Sequence, residues 1–522
     1  MSVLLIVVAA IAAVVVVVAI HDIVQRKHAV LRNFPVIGHF RYWLEHIGPE
    51  LRQYIVANND EERPFSRDQR RWVYASAKQQ NNYYGFGTDD DLEVSPNHVI
   101  IKHVSFPAAQ PAAGQVGAGP EFDVPCAKVV GAYMGRPHAF RPDSVVNVSA
   151  MSYGSLSAPA VEALNRGAAL AGCMQNTGEG GLTSYHQMGG DLVFQVGTGY
   201  FGVRDDDGNF CLDKLTRLVE ENPIRMIEVK LSQGAKPGHG GVLPATKVTP
   251  EIAAFRGVRV GRDCISPPGH SEFSDATSMI DFIERIAEAT GLPVGIKAAV
   301  GEMGFWEDLA RRMADSRRGP DFITIDGGEG GTGAAPLVFS DHVSLPYKIG
   351  MSRVYSTFAR YDMHENVTFI GAGKLGFPEE ALVAFALGAD MVNVAREAML
   401  AIGCIQAQRC HTNSCPTGVA TQSKWLMRGL DPTDKSARLA NYVITLRKEL
   451  LELSRTCGVE HPGFISPDSL EIVNEAFVSR PVHEIFGYQP GWGVPSPEDQ
   501  AGLRDVLGAP TLAPSEAGNV RD

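Results

Sequence analysis

The chain has 522 residues, 44% hydrophobic and 20% charged, with 54 glycines and 32 prolines. That excludes a collagen-like or wholly disordered polypeptide and leaves room for a sizeable core. Its net charge of -12 argues against broad nucleic-acid binding, which depends on clustered cations, and eight cysteines are too few for a disulfide scaffold.

Residues 3–20 contain no charged or polar side chain. At about 1.5 Å rise they would span roughly 27 Å, close to the thickness of a bilayer's hydrocarbon core. A cleaved signal peptide, for which residues 9–13 offer small side chains, wants a positive charge before the apolar run, and none is there. Arg26, Lys27 and Arg32 follow it instead, which predicts a single-pass membrane helix with the body of the chain in the cytoplasm. Residues 21–119 read as a helical or irregular lead-in packed on the main domain.

From residue 145 short β-branched runs alternate with helical patterns. Strands are expected at 145–150, 174–178, 225–232, 264–266, 294–300, 322–326, 367–372 and 391–395, with helices at 158–171, 278–290, 305–316 and 378–387. Eight such units predict an α/β fold, a (β/α)8 TIM barrel over 120–425, in preference to a doubly wound open sheet. Chemistry in such a barrel belongs to the loops that follow the strands. A helical extension is expected over 426–522, fraying from Gly487 onward.

Cys404, Cys410 and Cys415 stand as C-x5-C-x4-C, followed at once by Pro416. Crowded thiols in a cytoplasmic chain point to a metal centre, because disulfides do not persist there. Zinc would want a fourth ligand, His411 or the distant Cys457. Three thiolates suit a three-iron cluster, and ligand number favours iron–sulfur. Gly371-Ala-Gly-Lys-Leu-Gly376 matches a dinucleotide-binding fingerprint, but Asp390 precedes the next strand instead of ending it. In a barrel, the loops after strands seven and eight cradle a phosphate.

The run Cys410-His-Thr-Asn-Ser-Cys-Pro-Thr-Gly-Val-Ala-Thr-Gln422 resembles the 3Fe-4S segment of glutamate synthases. Five further segments agree in the same order. They are Ala150-Met-Ser-Tyr-Gly-Ser-Leu-Ser157, Asn176-Thr-Gly-Glu-Gly-Gly181, Gln233-Gly-Ala-Lys-Pro-Gly238, Ile265-Ser-Pro-Pro268 and Gly327-Gly-Glu-Gly-Gly-Thr-Gly-Ala-Ala-Pro336. The resemblance covers residues 120–425 and implies an FMN-binding barrel with a 3Fe-4S cluster on Cys404, Cys410 and Cys415. It implies Met151 and Ser152 against the flavin ring, Asn176 hydrogen-bonded to it, and Lys230 on strand three as a further contact. Lys297, otherwise an ordinary strand-end lysine, becomes a cation near the flavin pyrimidine. Gly371, Gly373, Ala395 and Arg396 would hold the phosphate. Gln233, Lys236 and Arg256 would contact 2-oxoglutarate, with Glu179 nearby.

The implied reaction condenses ammonia with 2-oxoglutarate, and reduced FMN then delivers hydride to 2-iminoglutarate, giving L-glutamate. Electrons would enter through the cluster. Two residues depart from the family: His239 where Glu is usual, and Arg396 where a small residue is usual. The family's glutaminase and C-terminal β-helix domains are not expected here, nor is an NAD(P)H site. Nitrogen is therefore expected from ammonium or a separate glutaminase, and electrons from ferredoxin or a separate NAD(P)H reductase. Two alternatives stay open: an FMN and iron–sulfur enzyme acting on another 2-oxo acid or an N-substituted glutamate, and a membrane-tethered electron-transfer subunit.

Overall fold

The computed structural model describes residues 3–25, 28–56, 59–88, 90–92, 95, 97–473 and 478–508. The chain divides into two compact units, the first ending at Asp68 and the second beginning at Gln69. In the first, Val3–Val24 is one helix long and apolar enough to cross a membrane, and it runs four residues beyond the expected span. Just before its end the Asp22 carboxylate accepts the Val36 N–H at 2.8 Å and meets His39 Nε2 at 3.0 Å, folding helices Ala29–Asn33 and Gly38–Leu51 back towards it. Arg26 and Lys27, on which together with Arg32 the expected orientation rests, lie outside the described residues.

The second unit is built on a closed barrel of eight parallel strands. They are β1 (Val146–Val148), β2 (Gln175–Asn176), β3 (Leu192–Val196), β4 (Ile224–Lys230), β5 (Val294–Ala298), β6 (Phe322–Asp326), β7 (Thr368–Ala372) and β8 (Met391–Val394). Pairing of Val392 with Val146 closes the ring. The expected barrel is therefore present, with one strand exchanged. Residues 264–266 are not part of it: Cys264–Ile265 pairs antiparallel with Val242–Leu243 inside the long β4–β5 connection. Pro267 and Pro268 follow at once, and proline has no N–H to extend a ladder. The third strand is β3 instead, whose five residues are all buried, so no polar alternation marks it. Lys230 accordingly ends strand four, not strand three.

Helix Ala158–Ala171 has the expected bounds because both caps are written locally. Ser157 Oγ accepts the Ala160 N–H, and Gly172 turns the chain at φ 61°. Helix Pro432–Thr456 lies against it so closely that a Cβ on Gly167 would meet Leu439 Cβ at 2.7 Å. The tail from Gly487 does not fray as far as it is described. Tyr488 Oη donates to Leu387 O at 2.8 Å, Tyr355 Oη accepts the Gly493 N–H at 2.8 Å, and helix Pro497–Leu507 follows. Its apolar and aromatic residues give it a face to bury; residues 509–522 lie outside the described residues. Val99–Ile101 in the lead-in pairs with Leu470–Val473, which in turn pairs with Ser479–Pro481.

Residues two apart on a strand share a face, so Met226, Glu228 and Lys230 climb β4 from the barrel floor to its mouth. The floor is apolar: Met174, Val193, Met226, Phe322, Ile370 and Met391 form one buried cluster.

Candidate active site

Above that floor the barrel interior turns polar. The Glu228 carboxylate, 1% exposed, accepts from Asn176 Nδ2 at 2.8 Å, Gln195 Nε2 at 2.6 Å and Thr324 Oγ1 at 2.7 Å. A buried carboxylate is tolerable because charge-assisted hydrogen bonds replace its water. The next layer holds Lys297, whose ammonium lies 3.4 Å from Asp326 Oδ2. Burial works against this cation, but Asp326 and Glu228 outweigh burial and hold its pKa above the usual lysine value.

At the mouth, Lys230 Nζ pairs with Glu179 Oε1 at 2.9 Å and donates to Gln233 Oε1 at 2.7 Å. Burial alone would raise the Glu179 pKa, yet Lys230, Lys236 and Arg256 bring it below the ordinary carboxylate value. Lys236 Nζ donates to Ala334 O at 2.9 Å; burial pushes its pKa down to about 8, with Glu179 opposing. Arg256 ends helix Pro250–Arg256, donates to Tyr153 O at 2.8 Å and packs over the Phe201 ring. Two glycines of the β4–β5 connection are there for close approach: a Cβ on Gly234 would meet Gly327 O at 1.7 Å, and one on Gly240 would meet Ser266 O at 1.8 Å. The cavity these loops enclose is lined by six cationic side chains, Lys230, Lys236, Arg256, Lys297, Lys374 and Arg396, against the carboxylates Glu179, Asp326 and Glu397.

Most sequence-predicted residues meet on this wall. Met151, Ser152, Glu179, Lys230, Gln233, Lys236, Arg256, Lys297, Gly373, Ala395, Arg396 and Cys410 all line it. Asn176, Gly371, Cys404 and Cys415 are not among the lining residues. The Asn176 carboxamide is engaged elsewhere, donating to Glu228 and accepting the Gly178 N–H at 3.0 Å. Gly371 is required by packing, since a Cβ there would meet Tyr347 Oη at 2.5 Å. His239 is also absent from the wall: its ring meets Phe339 edge-on at 5.3 Å and its Nδ1 lies 3.0 Å from Gly240 O. The loops after β7 and β8 bring Gly373, at φ 119°, beside Lys374, Ala395 and Arg396, and Arg396 Nη2 donates to Glu329 O.

The cysteine loop borders the same cavity through Cys410. Its thiols are free, and among the described residues no three His, Cys, Asp or Glu side chains converge as metal ligands do. They are nonetheless close enough to affect one another. Burial first, then Cys410 and Cys415, push the Cys404 thiol up to about 12. Tyr74 Oη donates to Cys404 O at 2.8 Å, so the helix Arg67–Ala77 supports the loop. Lys247, missed in the sequence, lies 1% exposed beneath the loop, with burial lowering its pKa to about 8 while Cys410 and Cys415 hold it up. Glu228 and Asp326 were missed as well. Their signal was available: charged residues within strands otherwise apolar enough to be buried on both faces.

The region 136–460 matches the family model described as a conserved region in glutamate synthase. The chain belongs to the glutamate synthase family. It is thus a glutamate synthase-like oxidoreductase, of the class acting on CH–NH2 donors. A glutamate synthase large subunit-like protein, YerD, of Bacillus subtilis is 40% identical over 86% of this chain and 90% of its own length. An archaeal glutamate synthase (NADPH) of Methanocaldococcus jannaschii is 33% identical over 61% of this chain, which spans 59% of that protein. A ferredoxin-dependent glutamate synthase of Cyanidium caldarium is 31% identical over 59% of this chain and 20% of its own.

Proposed function

We propose that this glutamate synthase family member makes L-glutamate from 2-oxoglutarate and ammonia by hydride transfer to 2-iminoglutarate. The observation that carries this reading is the excess of cations at the barrel mouth, six against three carboxylates, which suits a ligand with two carboxylates. Lys236 and Arg256 would bind the substrate carboxylates, and Gln233, fixed by Lys230, would orient the carbonyl carbon. Glu179, kept ionised by its cationic neighbours, offers a negative charge to the incoming ammonium. The residues fit FMN: backbone and cations of Gly373, Lys374, Ala395 and Arg396 suit a phosphate, and Lys297 suits a ring that becomes anionic on reduction. Three clustered free thiols, Cys404, Cys410 and Cys415, suit a 3Fe-4S cluster by donor chemistry. When bound, FMN supplies the hydride and the cluster relays the single electrons that replenish it.

Ferredoxin or a separate NAD(P)H reductase is proposed as electron donor. The helix Val3–Val24 is proposed as a single-pass anchor that leaves the barrel in the cytoplasm. A cluster of thiolates and a reducible flavin are best kept in a reducing compartment.

Anaerobically purified protein, reduced with dithionite or ferredoxin, is expected to form L-glutamate from 2-oxoglutarate with ammonium. No glutamate from ammonium or glutamine, with the flavin fully reduced, would sink the reading. Removing residues 3–24 is expected to move the protein from the membrane fraction to the soluble fraction with its turnover unchanged.

A further inference from the structure

We propose that Lys247 is a positioning residue that ties the cysteine loop to the wall of the substrate pocket and keeps a buried positive charge beside the thiols. The proposal rests on the reading of Cys404, Cys410 and Cys415 as holders of a redox centre.

Lys247 is 1% exposed, yet it sits at the end of a short turn, Ala245–Lys247, in the long β4–β5 connection. A buried ammonium is costly unless its protons find acceptors. Here they find two, each on a different functional loop. Lys247 Nζ donates to Ser155 O in the loop after β1, and to Cys410 O at 3.2 Å in the cysteine loop. Ser155 and Cys410 both line the cavity, and the Ser155 loop also carries Met151 and Ser152.

The same turn and the same two loops are joined by further bonds. Asn413 Nδ2, two residues before Cys415, donates to Thr246 O at 2.8 Å. Gln422 Nε2 donates to Gly154 O at 3.1 Å and Leu156 O at 2.8 Å, on either side of Ser155. The Gln422 N–H in turn donates to Asn413 Oδ1 at 2.6 Å. These bonds form a closed circuit from the cysteine loop through the turn to the pocket wall and back. Lys247 is the charged member of that circuit.

The consequence is twofold. Each electron taken up by a thiolate-held centre adds one negative charge, and a fixed cation nearby stabilises that added charge. Lys247 therefore favours the reduced form. It also holds Ser155 in register with Cys410, so the wall that carries Met151 and Ser152 depends on the conformation of the cysteine loop.

The test compares wild type with Lys247→Met, Lys247→Gln and Lys247→Arg in the full chain, handled anaerobically. The readouts are iron and sulfide content, the midpoint potential followed by EPR, and hydrogen–deuterium exchange over residues 151–156 and 404–415. Lys247→Met is expected to keep its iron and sulfide, shift the midpoint to a more negative value and exchange faster in both segments. Lys247→Arg is expected to return the midpoint towards wild type. If Lys247→Met does not fold, Lys247→Gln, which keeps a donor without the charge, is expected to lower the midpoint by itself. An iron-replete variant without the charge but with the wild-type midpoint overturns the proposal, and so does unchanged exchange in either segment. Wild-type protein without iron or sulfide would instead refute the reading of the cysteines; the tether would then stand or fall on exchange alone.

Discussion

At the N-terminal end of the barrel, buried cations are closely matched by carboxylates. Arg136 forks onto Glu284 at 2.7 and 2.9 Å and reaches Asp321 at 3.0 Å, while Lys128 meets Asp390 at 3.2 Å. The two aspartates are also built into the barrel backbone, Asp321 accepting the Val294 N–H and Asp390 the Phe369 N–H, both at 2.8 Å. At the C-terminal end, Lys230, Lys236, Arg256 and Lys297 share Glu179 and Asp326, and Lys374, Arg396 and Glu397 line the same cavity, six cations to three carboxylates. One end has local charge balance over an apolar floor, and the other has a surplus open to a cavity. The same residue types thus do structural work where opposite charges are locally matched, and become candidates for ligand binding where cations outnumber carboxylates around a cavity.

The contrast can be broken most severely from below. Arg136→Met leaves Glu284 and Asp321 buried without their cation, and should cost about 3–5 kcal/mol in a urea melt. The affinity of the remaining folded protein for 2-oxoglutarate should be unchanged. At the mouth, Lys297→Met should lower kcat by about 10²–10³-fold per bound flavin, the scale of losing one preorganised electrostatic group. Lys236→Met should leave kcat nearly intact and raise the KM for 2-oxoglutarate by about 10–100-fold, as expected for losing a hydrogen bond to a charged group.

The Lys236 effect carries its own pH signature. Burial lowers its pKa to about 8, so the ammonium is present below that pH and is lost as pH rises through it. KM should therefore be flat at lower pH, climb by up to about tenfold per pH unit above pH 8, and level off near the KM of Lys236→Met. Lys236→Arg, which stays protonated, should flatten the profile. The smallest effect is expected from His239→Glu. Because His239 packs on Phe339 away from the cavity wall, restoring the residue usual in the family should change KM by less than about threefold.

Much of this site was legible before the fold was known. The segments carrying Met151, Glu179, Gln233, Lys236 and Cys410 were recognisable as contiguous motifs, and the barrel brings these residues to one cavity wall. The Glu228 network was not legible, because its donors come from Asn176, Gln195 and Thr324 on three other strands. The structure likewise separates two reasons for glycine that look the same in Gly371-Ala-Gly-Lys-Leu-Gly376. Gly371 is small for Tyr347, whereas Gly373 turns at φ 119° on the cavity wall.

The sequence by itself determined the repeating strand–helix architecture, the family and the segments from which a site could be built. Those features rest on periodicity, local caps such as Ser157 and Gly172, and contiguous motifs. Tertiary structure decided that Leu192–Val196, and not Cys264–Ile265, completes the barrel, because strand membership depends on which distant backbone supplies the hydrogen bonds. It also decided that His239 turns to Phe339 and that Lys247 reaches Ser155 and Cys410. A buried charge needs partners, and the chain brought those partners from 92 and 163 residues away.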